Sequence, residues 1–343
     1  MQKPIKIIIF GLGKVGRELL FQLQNSGLNY QIIALADHSG CLTGHPLTTD
    51  QIAIAVQTKT TGQAIAILAG SLPLERLPDS FAQDNLIVDT SAVRDPDWSV
   101  ALHRGSKLVF ANKNALSSSW QKATVLFNHP EIRYEATVGA GLPVINTLRT
   151  MTASGDQILR IEGVMSGTLG FLCSRLEAGT PYSQAVLEAS EAGYTEPDPR
   201  DDLSGFDVLR KALILARTSG WELEQDDFSI QPLYDERLVG IPVAEFFQRT
   251  SSLDHTYAQE VKAAAQEGMV LRYLATISPQ GGRIGLKGVE RNSALGALQG
   301  PGNYFAIYSQ YYNEIPLVIA GPGAGIAVTA NGVLNDIIAL SSV

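Results

Sequence analysis

Residues 196–211 form the stretch of this chain whose side chains most clearly suggest chemistry, because it combines several carboxylates with a lysine. Within it, Asp207 and Lys211 are four residues apart. Side chains at this spacing leave the same face of a helix one turn from each other, so the carboxylate and the ammonium should meet. Such a pair can hold a charged substrate group or donate a proton. It can also be an ordinary ion pair on a helix surface, worth roughly a few tenths of a kcal/mol.

The elements that must position this pair are a loop and a helix. Pro197 and Pro199 keep the first part of the stretch out of a helix. The apolar sequence that follows predicts a helix over residues 202–217, closed by Gly220. Because this helix is apolar nearly all round, we expect it to be buried. A lysine at position 211 of a buried helix must be paired or used, since an unpaired buried charge is costly.

A glycine-rich loop near the N-terminus predicts dinucleotide binding. The apolar strand Ile5–Phe10 is followed by the pattern GLGKVG, a helix and a second strand from Tyr30 to Ala36 that ends on Asp37. This order of strand, glycine loop, helix, strand and acid is typical of the Rossmann fold, although the glycine pattern alone could be a tight turn. The helix N-terminus would hold the pyrophosphate. The predicted contacts are Gly11, Leu12, Gly13, Lys14, Val15 and Gly16.

Asp37 bears on the choice of cofactor. A carboxylate at the end of the second strand accepts hydrogen bonds from the adenosine ribose and repels a 2′-phosphate, which favours NAD over NADP. Lys14 and His38 lie nearby in the sequence and could weaken that preference. The sequence therefore predicts NAD or NADP, with NAD favoured.

The pattern of the chain predicts two domains. Strands over residues 86–91, 107–110 and 133–137 alternate with helices up to about residue 135, as in a parallel sheet. From residue 157 the spacing of the strands changes, and three later strands follow a polar helix, which indicates a mixed sheet. We predict an α/β protein, with a Rossmann-type NAD(P)-binding domain over residues 1–135 and 325–343. An inserted α+β catalytic and dimerisation domain would cover residues 136–324.

Composition narrows the class of partner. A net charge of −8 on 343 residues argues against nucleic acid or an anionic membrane surface. The two cysteines, Cys41 and Cys173, have no metal-ligand spacing. The chain enters a strand within a few residues of Met1, and the apolar stretch 315–334 is broken by prolines and glycines. We expect a cytoplasmic protein that acts on a small molecule.

Five ordered segments of the sequence closely resemble the homoserine dehydrogenase family, and the likeness spans nearly the whole chain. The resemblance implies NAD(P)-dependent hydride transfer between L-aspartate 4-semialdehyde and L-homoserine, on the route to threonine, methionine and isoleucine. The matching segments are residues 193–211, 111–117, 135–143, 166–168 and 321–325, the last followed by Val328-Thr-Ala330.

The resemblance also implies roles for individual residues. Lys211 would be the acid that protonates the aldehyde oxygen, and Lys113 would lie between nicotinamide and substrate. Glu196 and Asp207 would bind the substrate's ammonium group. The further residues implied at the cofactor are Thr90, Gly193 and Gly325.

The same resemblance implies a cation site and a dimer. The backbone carbonyls of Glu135, Val138, Ala140 and Leu142 match a monovalent-cation site, expected to hold structural sodium. The family also forms homodimers through the sheet of the inserted domain, and we expect the same of this chain.

The sequence departs from the family pattern and leaves rivals open. Residues 166–171 read SGTLGF, where many members have an asparagine first. We expect neither a C-terminal regulatory module nor a fused aspartate kinase, and hence no built-in threonine feedback. The alternatives are another two-domain amino-acid dehydrogenase, of the aspartate or diaminopimelate type, and a non-catalytic nucleotide sensor.

Overall fold

The computed structural model describes residues 3–341. The chain divides into two compact units, one up to Pro143 together with the segment from Ala324, and the other Val144–Gly323. Residues 136–143, which we expected in the inserted domain, therefore belong to the first unit. Their packing explains the difference, because a side chain on Gly141 would lie 2.6 Å from the carbonyl oxygen of Val328 on the C-terminal helix.

The first unit alternates strands and helices as its sequence predicts. Its strands are β1 (Ile5–Phe10), β2 (Tyr30–Asp37), β3 (Gly40–Thr43), β4 (Leu86–Asp89), β5 (Lys107–Phe110) and β6 (Ile132–Arg133). Its helices are α1 (Lys14–Gln24), α2 (Thr49–Thr60), α3 (Ser99–His103), α4 (Trp120–Phe127) and the C-terminal helix Ile326–Ser341. Short 3₁₀ turns cover Ile65–Ile67, Leu74–Ser80 and Glu135–Thr137.

The sheet of the first unit has the order β3-β2-β1-β4-β5-β6. All neighbours are parallel except β2 and β3, which are antiparallel. Ile7, Ile8 and Ile9 of β1 are fully buried at its centre, and each such side chain stabilises the fold by about 1.5–3 kcal/mol. The parallel arrangement brings the carboxyl ends of β1, β2, β4 and β5 to one edge, where ligands bind in sheets of this kind.

One local prediction in this unit was wrong, and one strand was not predicted. The stretch predicted as strand over residues 133–137 forms the two-residue strand β6 and then a 3₁₀ turn. Its side chains from Tyr134 to Thr137 are all buried, which explains why they read as a strand in the sequence. Strand β3 was not predicted, because its residues pair with β2 and show no strand pattern of their own in the sequence.

The C-terminal helix completes the first unit. Ala330, Val333 and Ile337 are fully buried in the same core as β1. The side chain of Gln22 on α1 donates to the carbonyl of Ala327 at 2.9 Å. The C-terminal helix is therefore part of this unit's core.

The second unit is built on a mixed sheet. Its strands are β7 (Ile158–Val164), β8 (Phe228–Ile230), β9 (Met269–Ser278), β10 (Gly281–Glu290), β11 (Gly302–Ser309) and β12 (Leu317–Pro322). Its helices are α5 (Val144–Ala153), α6 (Gly167–Glu177), α7 (Tyr182–Glu191), α8 (Arg200–Leu203), α9 (Phe206–Thr218), α10 (Val243–Arg249) and α11 (Asp254–Gln266). The 3₁₀ turns are Gln225–Asp227, Glu236–Leu238 and Thr250–Leu253.

The strands of the second unit follow the order β12-β11-β7-β9-β10-β8. Strands β8 and β10 are parallel, and the other neighbours are antiparallel. Val164, Leu274 and Ala306 belong to one buried cluster on this sheet. The end of β7 leads directly into the loop before α6, so the sheet fixes the start of that helix.

The helix predicted over residues 202–217 is in fact two helices, α8 and α9. They are separated at Gly205, whose φ is 73°. A side chain there would lie 2.1 Å from the hydroxyl oxygen of Tyr273, so the break needs glycine both for its left-handed backbone and for space. Asp207 is consequently in the first turn of α9.

Among the helices within residues 3–341, none combines the length and the apolar character that a membrane crossing requires.

Candidate active site

The glycine loop of the first unit, residues 11–16, packs closely against the backbone that follows β4. Gly11 has a φ of 107°, and a side chain on it would lie 2.3 Å from the amide nitrogen of Ser91. A side chain on Gly16 would lie 2.3 Å from the carbonyl oxygen of Gly11. The hydroxyl of Thr90 donates to that same carbonyl at 2.6 Å. Gly13, which precedes α1, has open space beside it, so a phosphate could approach its backbone.

Asp37, at the end of β2, is held by several donors. The ammonium of Lys59 lies 2.6 Å from its Oδ2 atom, and the amide of Ile65 donates to the same oxygen at 3.2 Å. Ser39 donates its amide and its hydroxyl to the Oδ1 atom. Burial alone would raise the pKa of Asp37, but these hydrogen bonds outweigh it and lower the pKa to about 2.

A cavity of about 490 Å³ lies at this edge of the first unit. Its walls are the glycine loop, Asp37 with His38, Lys59 and residues 90–93. A cavity beside the N-terminus of α1, at the carboxyl ends of parallel strands, suits an anionic dinucleotide.

Lys113 lies in the turn that follows β5. Its carbonyl accepts hydrogen bonds from the amide and the hydroxyl of Ser117, both at 2.9 Å. On the neighbouring strand, Asp89 is buried at the end of β4. Burial raises the pKa of Asp89, although hydrogen bonds from Ser91 and Asn112 oppose the shift. The turn that carries Lys113 is thus adjacent in the sheet to a buried acid.

The turn after Glu135 contains two consecutive residues with left-handed backbone, Gly139 at a φ of 76° and Ala140 at 57°. A left-handed alanine is strained and persists only where its surroundings hold it. Two buried carboxylates are close by, because the amide of Glu135 donates to Asp336 at 2.7 Å and both residues are almost fully buried. A hydrogen bond therefore ties the start of this turn to the C-terminal helix, which carries Asp336.

In the second unit, Lys211 and Asp207 meet as their spacing predicts. The Nζ atom of Lys211 lies 2.8 Å from Asp207 Oδ2. It also donates to the carbonyl oxygen of Met165 at 2.7 Å. The lysine side chain is 13% exposed, so most of it is enclosed by protein. A lysine ammonium has three donors, and these two acceptors fix its position.

A second carboxylate, Asp202, organises the loop beside this pair. Its Oδ2 atom accepts from the amide of Glu196 at 2.8 Å, and its Oδ1 atom accepts from the hydroxyl of Thr168 at 3.2 Å. The same hydroxyl lies 2.6 Å from the carbonyl of Tyr194. Burial raises the pKa of Asp202, and repulsion from Glu196 and Asp207 adds to the shift. Three carboxylates therefore form one negatively charged group.

The structure distributes the predicted site residues over the two units. Asp207 and Lys211 are in direct contact, whereas the carboxylate of Glu196 is exposed and its backbone is tied to the group. Gly193 is also exposed, in the turn after α7. The second unit holds Gly193, Glu196, Asp207 and Lys211, and the first holds residues 11–16, Asp37, Thr90, Lys113, Glu135, Val138, Ala140, Leu142 and Gly325.

Sequence reasoning missed Asp202, Thr168, Met165 and Lys59. Asp202 and Thr168 lie inside the segments 193–211 and 166–168 that resemble the family, and this position in the sequence is the signal that could have identified them. The partnership of Lys59 with Asp37 joins residues 22 positions apart, and nothing in the spacing indicates it. The contact of Lys211 with the Met165 carbonyl could not be predicted, because every residue type has a backbone carbonyl.

Known proteins resemble this chain over most of its length. The family model described as homoserine dehydrogenase matches residues 143–338. Homoserine dehydrogenase of Paracoccidioides brasiliensis is 35% identical, over 98% of this chain and 97% of its own length. Bifunctional aspartokinase/homoserine dehydrogenase 1 of Zea mays is 37% identical over 97% of this chain. The chain spans only 38% of the length of that maize protein.

Solved structures share the fold. A hyperthermophilic archaeal homoserine dehydrogenase mutant, solved in complex with NADPH, has a TM-score of 0.76 and 25% identity. The likeness covers 99% of this chain and 98% of that one. The likeness therefore extends through both units.

The Rossmann-type sheet of the first unit and the mixed sheet of the second, which carries the Lys211–Asp207 pair, describe an α/β protein of two units. The family model and the full-length relative go further, because both match the unit that carries the acidic group and the lysine. The chain belongs to the homoserine dehydrogenase family.

Proposed function

We propose that the chain interconverts L-aspartate 4-semialdehyde and L-homoserine with NAD(P) as cofactor. The observation that carries this proposal is the enclosed ammonium of Lys211, held by Asp207 and the Met165 carbonyl. The acidic group of Glu196, Asp202 and Asp207 adjoins it, through the hydrogen bond from the Glu196 amide to Asp202. A proton donor beside several carboxylates suits a substrate that has both a carbonyl and an ammonium group.

The cofactor would bind in the first unit. When bound, NAD(P)H supplies the hydride for reduction of the aldehyde. The residues present fit it, because Gly13 leaves its backbone open beside the cavity and α1 directs its N-terminus there. The archaeal relative solved with NADPH supports a nicotinamide dinucleotide here. Within this proposal, the glycine loop with Lys14 and Val15 holds the pyrophosphate, and Thr90, Gly193 and Gly325 also contact the cofactor.

The choice between NAD and NADP depends on Asp37 and Lys59. Asp37 alone would favour NAD, as the sequence predicts. Its carboxylate is neutralised in the fold by an ammonium 2.6 Å away, and that ammonium is part of the cavity wall. We therefore propose that both cofactors are used, with Asp37 accepting hydrogen bonds from the ribose hydroxyls of NAD and Lys59 donating to the 2′-phosphate of NADP.

Lys211 would act as the acid. Hydride transfer places negative charge on the aldehyde oxygen, and an ammonium positioned beside that oxygen stabilises the charge and delivers a proton. Asp207 and the Met165 carbonyl each accept one of its N–H donors. Of the three donors of the ammonium, the remaining one would face the substrate oxygen.

The acidic group would bind the substrate's ammonium. Glu196, Asp202 and Asp207 together repel one another, which is one cause of the raised pKa of Asp202. A bound cation relieves that repulsion, so substrates without the amine should bind poorly. Lys113, in the first unit, would contribute a second positive charge towards the nicotinamide and the substrate, as the family resemblance implies.

Sodium would bind at the turn after Glu135. The carbonyls of Glu135, Val138, Ala140 and Leu142 are hard oxygen ligands. The buried carboxylate of Asp336 is compatible with a cation at this turn, since it lies 2.7 Å from the Glu135 amide. We propose a structural role, which thermal unfolding in sodium chloride and in choline chloride at equal ionic strength would test. A higher Tm in sodium is expected.

The units would also differ in role. We propose that the first unit binds the cofactor and that the second provides catalysis and a homodimer contact through its sheet, as the family resemblance implies. Sedimentation velocity tests the dimer, and a monomer at micromolar concentration would contradict it.

Initial rates test the proposed reaction directly. L-Aspartate 4-semialdehyde should be reduced with NADPH and with NADH, measured in parallel by loss of nicotinamide absorbance. L-Aspartate and diaminopimelate should give no oxidation with NAD or NADP. Turnover of either of these, without turnover of the semialdehyde, would assign the chain to another amino-acid dehydrogenase reaction, and binding without any turnover would indicate a nucleotide sensor.

A further inference from the structure

The end of β4 and the turn after β5 are joined by a buried side chain. Asp89 is 1% exposed. Its carboxylate accepts hydrogen bonds from the Ser91 amide at 2.9 Å and from the side-chain amide of Asn112 at 3.3 Å. Its backbone carbonyl accepts from the amides of Ala111 at 2.9 Å and Asn112 at 3.2 Å. Side chain and backbone of one residue therefore link two loops.

Asn112 extends this link to both sides of Lys113. Asn112 is 5% exposed, and its Nδ2 atom also donates to the carbonyl of Val93 at 3.0 Å. Its Oδ1 atom accepts from the amide of Asn114 at 3.0 Å. The side chain of Asn114 donates to the Val93 carbonyl as well, at 2.8 Å. Lys113 is thus flanked by two residues that are both tied to the same carbonyl.

The other side of the network is the wall of the first unit's cavity. Ser91 and Val93 line that cavity, and Asp89 and Asn112 hold them from beneath. A buried hydrogen-bond network in which the members satisfy each other is rigid, because breaking one link leaves a buried polar group without its partner. The cavity wall and the turn of Lys113 should therefore keep a fixed spacing.

We propose that Asp89 and Asn112 are positioning residues, which hold Lys113 at a fixed distance from the cofactor-binding wall of residues 91–93. This inference rests on the proposed function, and the family resemblance assigns no role to either residue. Burying a carboxylate is costly, and well-packed apolar side chains would close the end of a sheet at lower cost. A need for fixed geometry explains why this sheet end is polar.

The first test compares Asn112→Ala with Asn85→Ala. Asn85 is buried at the opposite end of the same sheet, and its side chain also donates to a backbone carbonyl, that of Ser80 at 2.9 Å. Both variants should lose similar thermal stability. Only Asn112→Ala should lower kcat, on the order of 10-fold to 100-fold, because a small misplacement of a catalytic group has effects of that size. Its Kd for NADPH, followed by nicotinamide fluorescence, should also rise.

A side-chain exchange separates positioning from stability. In Asp89→Asn, an amide nitrogen replaces one of the two acceptors, so either the Ser91 amide or Asn112 loses its partner. In the double variant D89N/N112D, the amide introduced at position 89 can donate to the carboxylate introduced at position 112, while its oxygen still accepts from Ser91. That carboxylate can also accept from the Asn114 amide. The kcat of the double variant should exceed that of Asp89→Asn, and remain below wild type because the Val93 carbonyl loses a donor.

The outcomes are distinguishable. If Asn112→Ala and Asn85→Ala have the same kcat and the same NADPH Kd, the positioning role is overturned. A double variant with lower kcat than Asp89→Asn also contradicts it. If Asn112→Ala does not fold, Asn114→Ala, which removes the link at 2.8 Å to Val93, provides the same comparison. If the wild type does not reduce the semialdehyde, the proposed function fails, and the NADPH Kd values alone then decide the inference.

Discussion

The Nζ atom of Lys211 lies 2.7 Å from the carbonyl oxygen of Met165, at the point where β7 has ended and α6 is about to begin. This contact joins the helix that carries the lysine to the loop between β7 and α6, the helix whose first turn contains Thr168. The ion pair with Asp207 alone would leave the ammonium free to rotate about one partner. With two acceptors on different elements, its direction is fixed.

The pH dependence of substrate binding should report on Asp202. The pKa of this half-buried carboxyl is raised, so it takes up a proton at a higher pH than an ordinary aspartate as the solution is acidified. Protonation removes a charge that attracts the substrate's ammonium, and KM for L-homoserine should therefore rise as pH falls. In Asp202→Asn, KM should be higher and should vary less with pH.

Asp201→Asn is the matched control for that experiment, because Asp201 is its exposed neighbour in α8. Its KM profile should follow the wild type. If Asp202→Asn retains the full wild-type pH dependence of KM, Asp202 does not contribute charge to substrate binding.

Lys59 should control the use of NADPH. Lys59→Ala removes the cation next to Asp37 and leaves a carboxylate facing the 2′-phosphate. KM for NADPH should rise on the order of 10-fold, the effect of losing one charge-assisted hydrogen bond, while KM for NADH changes less. Lys122→Ala is the control, since Lys122 forms an exposed ion pair with Asp95 in the same unit. Equal changes for both cofactors in Lys59→Ala would contradict the role given to this lysine.

Gly205 should be more sensitive to substitution than Gly220. Both have left-handed backbone, with φ of 73° and 86°. Gly220 has open space beside it, whereas a side chain on Gly205 would meet the Tyr273 hydroxyl at 2.1 Å. Gly220→Ala should lower the free energy of unfolding by about 1 kcal/mol. Gly205→Ala should lower it by more and also reduce kcat, because α9 carries Lys211. Urea unfolding measures the difference, and equal losses would argue against steric control of the break.

Much of the fold could be predicted from local sequence. The continuous apolar runs of β1, β4 and β5 predict buried parallel strands, and the spacing of Asp207 and Lys211 predicts their contact, because both signals depend on neighbouring residues alone. The break at Gly205 could not be predicted, since it depends on Tyr273, which is distant in the sequence. For the same reason the helix appeared continuous from residue 202.

The site was less predictable than the fold. Asp202 could not be identified, because an aspartate looks the same in sequence whether it is solvated or hydrogen-bonded to Thr168. The preference for NAD over NADP that Asp37 predicts changes once Lys59 lies beside it. Lys59 reaches that position only because α2 packs against the sheet. Tertiary contacts of this kind determine the net charge around a site residue, and the spacing of residues along the sequence does not indicate them.

The most direct test of the account is the turnover of Lys211→Ala with L-aspartate 4-semialdehyde and NADPH. Removing a general acid should lower kcat by roughly 10²-fold to 10⁴-fold, with the NADPH Kd unchanged because the proposed pyrophosphate loop, residues 11–16, is left intact. Lys262→Ala, at an exposed position on α11, should behave as wild type. A Lys211→Ala variant that reduces the semialdehyde at the wild-type rate would contradict the central claim that this ammonium is the acid.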